Sequence, residues 1–325
     1  MLYREALNRA IDESMAADES VVILGEDVGR YGGSYRVSEG LFAKYGEKRV
    51  IDTPIAELSI VGNAIGMAIA GLRPIAEIMT VNFSLLAMDQ IVNHAAKFRY
   101  MSGGKMTIPL TVRMPGGVSR QLAAQHSESY ETLYSSIPGL IVLAASNATY
   151  AYHALKKAIF INDPVIFLEH ELLYPIDMDF KEIKDFDPFK AEVIKEGKDL
   201  TILTYLKMRY DVLEALPRIE KDLGISIEVI DLNSLRPLDT ETIFNSIKKT
   251  KRVVLVEEDH KTGGYGAEVI SKISEEMFYE LDAPPLRIAG EDVPVPYNRR
   301  LELASIPTPE KIISKIKDWG RENGL

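Results

Sequence analysis

The chain has 325 residues, 48 acidic against 38 basic side chains, a formal net charge of −10, and no cysteine. That length exceeds the size at which a single hydrophobic core stops growing, so two domains are expected. The acidic balance argues against nucleic acid, whose binding needs clustered lysine and arginine. The absence of cysteine excludes disulfides, thiolate metal sites and a cysteine nucleophile, and leaves the redox compartment open.

The first element reads as an amphipathic helix and not as a signal peptide, with Leu2, Ala6, Leu7, Ala10, Ile11 and Met15 on one side. Short apolar runs at 21–25, 74–78, 108–112, 140–143 and 165–168 then alternate with helical patterns at 83–100 and 147–160. Alternation of this kind predicts a parallel sheet covered by helices, an α/β domain. From 169 to 190 the pattern breaks at Tyr174-Pro175 and Asp187-Pro188, which favours an extended connection. The expected domains are therefore 1–185 and 190–325. In the second, strand-like runs at 200–205, 226–230 and 252–256 are separated by helical segments near 207–223, 239–249 and 265–280. A closing helix follows at 309–319.

No internal repeat appears. Gly62, Gly66 and Ala70 lie on one helix face and suit either internal packing or a subunit contact. The longest apolar stretch, 60–72, falls short of the roughly 20 residues that cross a bilayer, so no membrane partner and a cytoplasmic location are expected. No HxxxH pair or calcium loop is present.

The most informative residue is Glu57, which closes the run Ile51-Asp-Thr-Pro-Ile-Ala-Glu and precedes the small-residue stretch 62–71. Apolar surroundings penalise the charged form of a carboxyl group, which is how a glutamate becomes able to exchange a proton near neutral pH. The same residue at a helix start also suits capping of free N–H groups. Phe83 follows a strand and opens a helix, where an aromatic face can stack on a flat heterocycle or simply join the core. His126 lies in a loop after Pro115-Gly116-Gly117, at a strand end where open α/β sheets place ligand groups. The other histidines, His94, His153, His170 and His260, sit in no motif.

The ordered set I-D-T-P-I-A-E (51–57), M-T-V-N-F (79–83), M-D-Q-I-V-N-H-A-A-K (88–97), M-S-G-G (101–104) and A-Q-H-S (124–127) resembles the beta subunit of thiamine-diphosphate-dependent 2-oxo acid dehydrogenases. These are the first components of the pyruvate, branched-chain and acetoin complexes. The match continues through D-L-N-S-L-R-P-L-D (231–239), V-E-E (256–258) and D-V-P-V-P-Y (292–297). This resemblance implies a thiamine diphosphate pyrimidine-binding domain followed by a transketolase C-terminal-like domain. It assigns Glu57 to the aminopyrimidine ring nitrogen, where a carboxyl group promotes the tautomer that activates the thiazolium. It assigns Phe83 to the ring face and His126 to the 2-oxo acid. Relatives more often continue H-S-Q where this chain has His126-Ser127-Glu128, which leaves substrate preference open.

Relatives hold a potassium ion through backbone carbonyls at positions matching Leu110, Ala158, Ile159, Ile161 and Asp163. The same residues also read plainly as the turn closing a helix before Pro164. The G-D-G motif and paired asparagines that hold Mg2+ and the diphosphate in relatives are absent, because Gly25-Glu26-Asp27-Val28-Gly29 has the wrong order. The resemblance therefore implies an alpha subunit supplying Mg2+ and the diphosphate half of the site in an α2β2 heterotetramer. It further implies a lipoyl acyltransferase core that receives the acyl group. An acetoin dehydrogenase beta subunit, or a non-catalytic stabilising subunit, is the alternative.

Overall fold

All five residues of the run 21–25 are buried, as a strand covered on both faces requires. The computed structural model describes residues 1–325 as two compact units: Met1–Gly116 with Leu133–Pro188, and Gly117–Thr132 with Phe189–Leu325. Residues 117–132, inside the span expected for the first domain, thus group with the second unit.

In the first unit the elements run α1 (Tyr3–Ala17), β1 (Val21–Gly25), α2 (Leu41–Tyr45), β2 (Val50–Asp52), α3 (Glu57–Ile69), β3 (Arg73–Glu77), α4 (Ala96–Met101), β4 (Thr111–Gly116), α5 (Glu131–Ser135, whose first two residues group with the second unit), β5 (Ile141–Ala144), α6 (Ala148–Phe160) and β6 (Val165–His170). Its strands are ordered β5-β6-β4-β3-β1-β2, every pairing parallel. Helix α1 buries Ala6, Leu7, Ala10 and Ile11 against α6, the apolar stripe its sequence announces. At mid-sheet, Arg113 on β4 is buried. It donates bidentately to Glu169 on β6 (2.7 and 2.7 Å) and to Glu77 on β3 (2.6 Å), while the Tyr174 hydroxyl donates to Glu169 (2.7 Å).

Two local expectations are corrected. The helix expected over 83–100 is three pieces: a 3-10 segment at Val81–Ala87, a π-helical turn at Gln90–Ala95, and α4. At the start of the π-helical turn Asn93 Nδ2 donates to the Asp89 carboxylate (2.7 Å), and His94 Nδ1 lies 3.3 Å from the Asp89 carbonyl. Strand β4 starts at Thr111, later than expected, because Pro109 has no N–H and the Leu110 amide closes a tight turn onto the Ile108 carbonyl (2.7 Å).

The second unit contains β7 (Glu192–Lys195), β8 (Leu200–Thr204), α7 (Met208–Leu223), β9 (Ile227–Asp231), β10 (Ser234–Arg236), α8 (Thr240–Thr250), β11 (Val253–His260), α9 (Tyr265–Met277), β12 (Leu286–Gly290), α10 (Arg299–Ser305) and α11 (Pro309–Glu322). Five strands are ordered β12-β11-β8-β9-β7, parallel except for the antiparallel edge strand β7. Ile202, Val229 and Val254 from the strands meet Val212 and Ile219 of α7 and Ile312, Ile316 and Trp319 of α11 in one core. Helix α11 has Pro309 in its first turn and Thr308 as its cap, the arrangement that starts a helix firmly. No helix is long and apolar enough to cross a membrane.

Candidate active site

The carboxyl ends of adjacent parallel strands are where an open α/β sheet gathers ligand groups, and β1 and β2 end side by side. Gly25 closes β1 so tightly against β3 that a Cβ there would stand 2.7 Å from the Glu77 carbonyl oxygen. Asp52, closing β2, accepts the amides of Gly29 (2.5 Å) and Arg30 (3.2 Å), and the Thr53 amide donates to the Gly25 carbonyl (3.0 Å). These bonds fix the two loops that carry Glu26 and Glu57.

Glu57 is the first residue of α3, and the Ser59 and Ile60 amides (2.8 and 2.9 Å) are taken by the Ala56 carbonyl. The capping role that the sequence left open is not taken up. The side chain is 3 % exposed, and its carboxyl group makes no hydrogen bond within the chain. Beside it, Glu26 is 8 % exposed, and one of its oxygens is buried with no partner. Burial first, then the charges of Glu57 and Asp27, push the Glu26 carboxyl up from its ordinary value. The sequence reading missed Glu26. Its position directly after the first buried strand was the available signal.

Phe83 lies in the 3-10 segment after β3, half-buried, with its amide on the Thr80 carbonyl (3.0 Å). The segment is pinned at Ser84, whose hydroxyl donates to the Val81 carbonyl and accepts from Tyr134, and it packs against α3. From these two touching elements Leu58, Leu85 and Leu86 (63 % exposed) project outward, as does Ile55 (81 %) just before α3. That is an apolar surface of a kind soluble chains keep for partners. On α3 itself, Gly62 packs internally, a Cβ there meeting Gln90 Oε1 at 3.4 Å, whereas Gly66 faces open space and Ala70 is exposed.

The structure brings Glu57 and Phe83 into one unit and places His126 in the other, on the 117–132 segment. There His126 is half-buried, and its amide donates to the Ala123 carbonyl (3.1 Å). The segment's end carries Glu131, buried against Asp259 and Glu257 of β11. Burial, then Asp259, raises the Glu131 carboxyl well above its ordinary range, and one of its oxygens has no partner. The remaining histidines take structural contacts: His94 stacks edge-on with Phe98, His153 joins Tyr152, Phe180 and Phe186, His170 accepts the Leu172 amide (3.2 Å), and His260 borders the Val293 carbonyl (3.4 Å).

Of the carbonyls matched to a potassium site, that of Leu110 accepts the Val165 amide (2.8 Å) and that of Ala158 accepts the Ile161 amide (3.1 Å). Arg73 donates to the Ile159 carbonyl (3.3 Å), and the Asp163 carboxylate is paired with Arg99. No group of three or more acidic or histidine side chains is arranged to hold a metal ion.

A parallel-sheet unit with a buried carboxyl pair at its strand ends, followed by a mixed five-stranded unit, defines the transketolase class of two-domain chains. The family described as transketolase, pyrimidine binding domain, matches residues 1–177, and that described as transketolase, C-terminal domain, matches 189–312. A solved structure described as split gene transketolase, inactive beta4 tetramer, superposes with a TM-score of 0.81 over 99 % of both chains at 26 % identity.

Among named relatives, pyruvate dehydrogenase E1 component subunit beta of Porphyra purpurea is 52 % identical over 97 % of this chain and 95 % of that protein. The mitochondrial subunit beta-2 of Oryza sativa subsp. japonica is 48 % identical over 98 % of this chain and 85 % of that protein. The chain belongs to the family of 2-oxo acid dehydrogenase E1 beta subunits, components of thiamine-diphosphate-dependent enzymes.

Proposed function

We propose that this chain is the beta half of an α2β2 assembly that decarboxylates a 2-oxo acid, with pyruvate favoured by the names of the relatives. The acyl group then passes to the lipoyl arm of an acyltransferase core. Bound thiamine diphosphate supplies an acidic thiazolium carbon and an electron sink for decarboxylation. The chain's own residues do the rest. Glu57 would hold the aminopyrimidine through its ring nitrogen and keep a proton there, Phe83 would cover the ring face, and His126 would hold a proton or hydrogen bond at the substrate carbonyl oxygen. Glu26, its carboxyl pushed up by burial and by the charges of Glu57 and Asp27, would sit beside Glu57 at the same strand ends.

The observation that carries this reading is the Glu26–Glu57 pair at the carboxyl edge of a parallel sheet: Glu57 is 3 % exposed, and beside it a buried Glu26 oxygen has no partner in its own chain. Burial of an unpaired acid is costly, so it is retained where a ligand supplies the partner. The uncovered Ile55, Leu58, Leu85 and Leu86 support a second polypeptide over the same edge. That partner would bring Mg2+ and the diphosphate ligands, which this chain's sequence lacks. The split gene transketolase, inactive as a beta4 tetramer, points the same way.

The test is Glu57→Gln in the assembled complex. Turnover is expected to fall by about 100-fold or more, with subunit ratio and thermal midpoint unchanged. A complex that turns over at the wild-type rate would reject a catalytic beta subunit in favour of a scaffold. Rates with pyruvate, branched-chain 2-oxo acids and acetoin then fix the substrate.

A further inference from the structure

We propose that Glu302, backed by Arg299, is a positioning residue for His126, acting through the backbone of the loop between them. This role rests on His126 being the group that meets the 2-oxo acid, and its physical basis is the geometry of the 117–132 segment. Arg120, Gln121 and Ala123 hold φ of 49°, 61° and 66°, the left-handed region that side chains other than glycine leave when nothing holds them. Three such residues within four positions need an external hold.

Helix α10 provides it. The Gln121 amide donates to Glu302 Oε1 (2.7 Å), and the Gln121 side chain donates to the Tyr297 carbonyl (3.3 Å). Glu302 is fully buried, and its second oxygen accepts from Arg299 Nη1 (2.6 Å), one turn earlier on the same helix. Asn298 caps α10 by accepting the Arg300 and Leu301 amides (3.0 and 3.3 Å), which fixes the direction in which Glu302 points. At the segment's start, the Val118 amide donates to Glu258 (2.5 Å), and the Val118 side chain packs with Val295 and Ile306. From Gln121 the path to the imidazole is short, because the Ala123 carbonyl accepts the His126 amide (3.1 Å). A buried carboxylate needs strong compensation. Here a backbone amide and a guanidinium give it, both as charge-assisted bonds that fix direction as well as energy.

A carboxylate that merely ties α10 to the loop predicts a stability effect alone. A positioning carboxylate predicts an effect that vanishes when His126 is absent. Amide hydrogen exchange of the full-length chain and steady-state kinetics of the assembled complex separate the two, using Glu302→Gln, His126→Ala and the double variant. Glu302→Gln is expected to speed exchange at Gln121 by about tenfold or more, to lower kcat/KM for the 2-oxo acid, and to change its pH profile in the direction that His126→Ala does. In the His126→Ala background it is expected to lower kcat/KM no further. Unchanged exchange at Gln121, or losses that multiply in the double variant, overturn the proposal. If His126→Ala alone leaves kcat/KM unchanged, the substrate role of His126 fails, and positioning falls with it even where the exchange result shows the tether. Should Glu302→Gln not fold, Arg299→Met at an exposed site frees the second Glu302 oxygen. It is expected to show the same exchange and kinetic pattern at smaller amplitude, and its absence counts against the proposal equally.

Discussion

Asp259 on β11 is expected to make the second unit lose stability as pH rises. Its carboxylate is buried, accepting the His260 amide (2.7 Å) and the Thr132 hydroxyl (3.2 Å). Glu257 and Glu131 crowd it, and Glu257 is itself tied up by Arg287 (2.6 Å), the Gly266 amide (2.6 Å) and Tyr205 (3.1 Å). Burial first, then the Glu257 charge, lift Asp259 from 3.8 to about 6. The folded state therefore keeps a proton that the unfolded chain has already released between those two values, so stability falls as pH rises through that window. A lift of about two units corresponds to about 3 kcal/mol, of which about 1 kcal/mol falls between pH 5 and pH 7. Glu131, raised well above its ordinary range by burial and by Asp259, titrates with it and carries the loss toward higher pH.

Trp319 makes this measurable, since it is the chain's one tryptophan and sits in the core of the second unit. Urea unfolding followed by its fluorescence, at several pH values from 4.5 to 8, is expected to show Asp259→Asn gaining on the wild type as pH rises, by about 2 kcal/mol across that range. A difference that stays constant with pH, or moves in favour of the wild type at high pH, refutes the buried-acid account.

Two further outcomes follow from the first unit. Arg113→Met leaves Glu77 and Glu169 buried without their guanidinium, Glu169 keeping only the Tyr174 hydroxyl, so about 3–5 kcal/mol of stability should be lost. Calorimetry of the variant should show the transition of that unit shifted or abolished, and an unchanged transition would mean that the two carboxyls tolerate burial without the guanidinium. Leu86→Asp together with Leu58→Asp places charge on exposed apolar positions. The variant should keep its fold by circular dichroism and fail to co-purify with an alpha subunit, and normal assembly would remove this face from the interface.

The alternation of short apolar runs with helical periods was enough for an α/β chain in two parts, because strands buried on both faces leave short continuous apolar runs between the helices that cover them. The antiparallel edge strand β7 was not legible. Its residues are partly exposed, and its run Glu192-Val-Ile-Lys195 lacks the buried pattern of its neighbours. The π-helical turn was hidden for a different reason, since a single widened turn leaves no mark on a 3.6-residue period.

For the site, the order of motifs along the chain singled out Glu57, Phe83 and His126, since residue type and spacing survive in one dimension. Which charges gather around them does not. Glu26 meets Glu57 because β1 and β2 are neighbours. Glu302, nearly two hundred residues beyond Gln121, reaches that amide because α10 packs where the left-handed loop passes. Burial and electrostatics act through space between segments remote in sequence, so the sequence by itself singled out candidate residues, and only the tertiary structure decided what surrounds and restrains them.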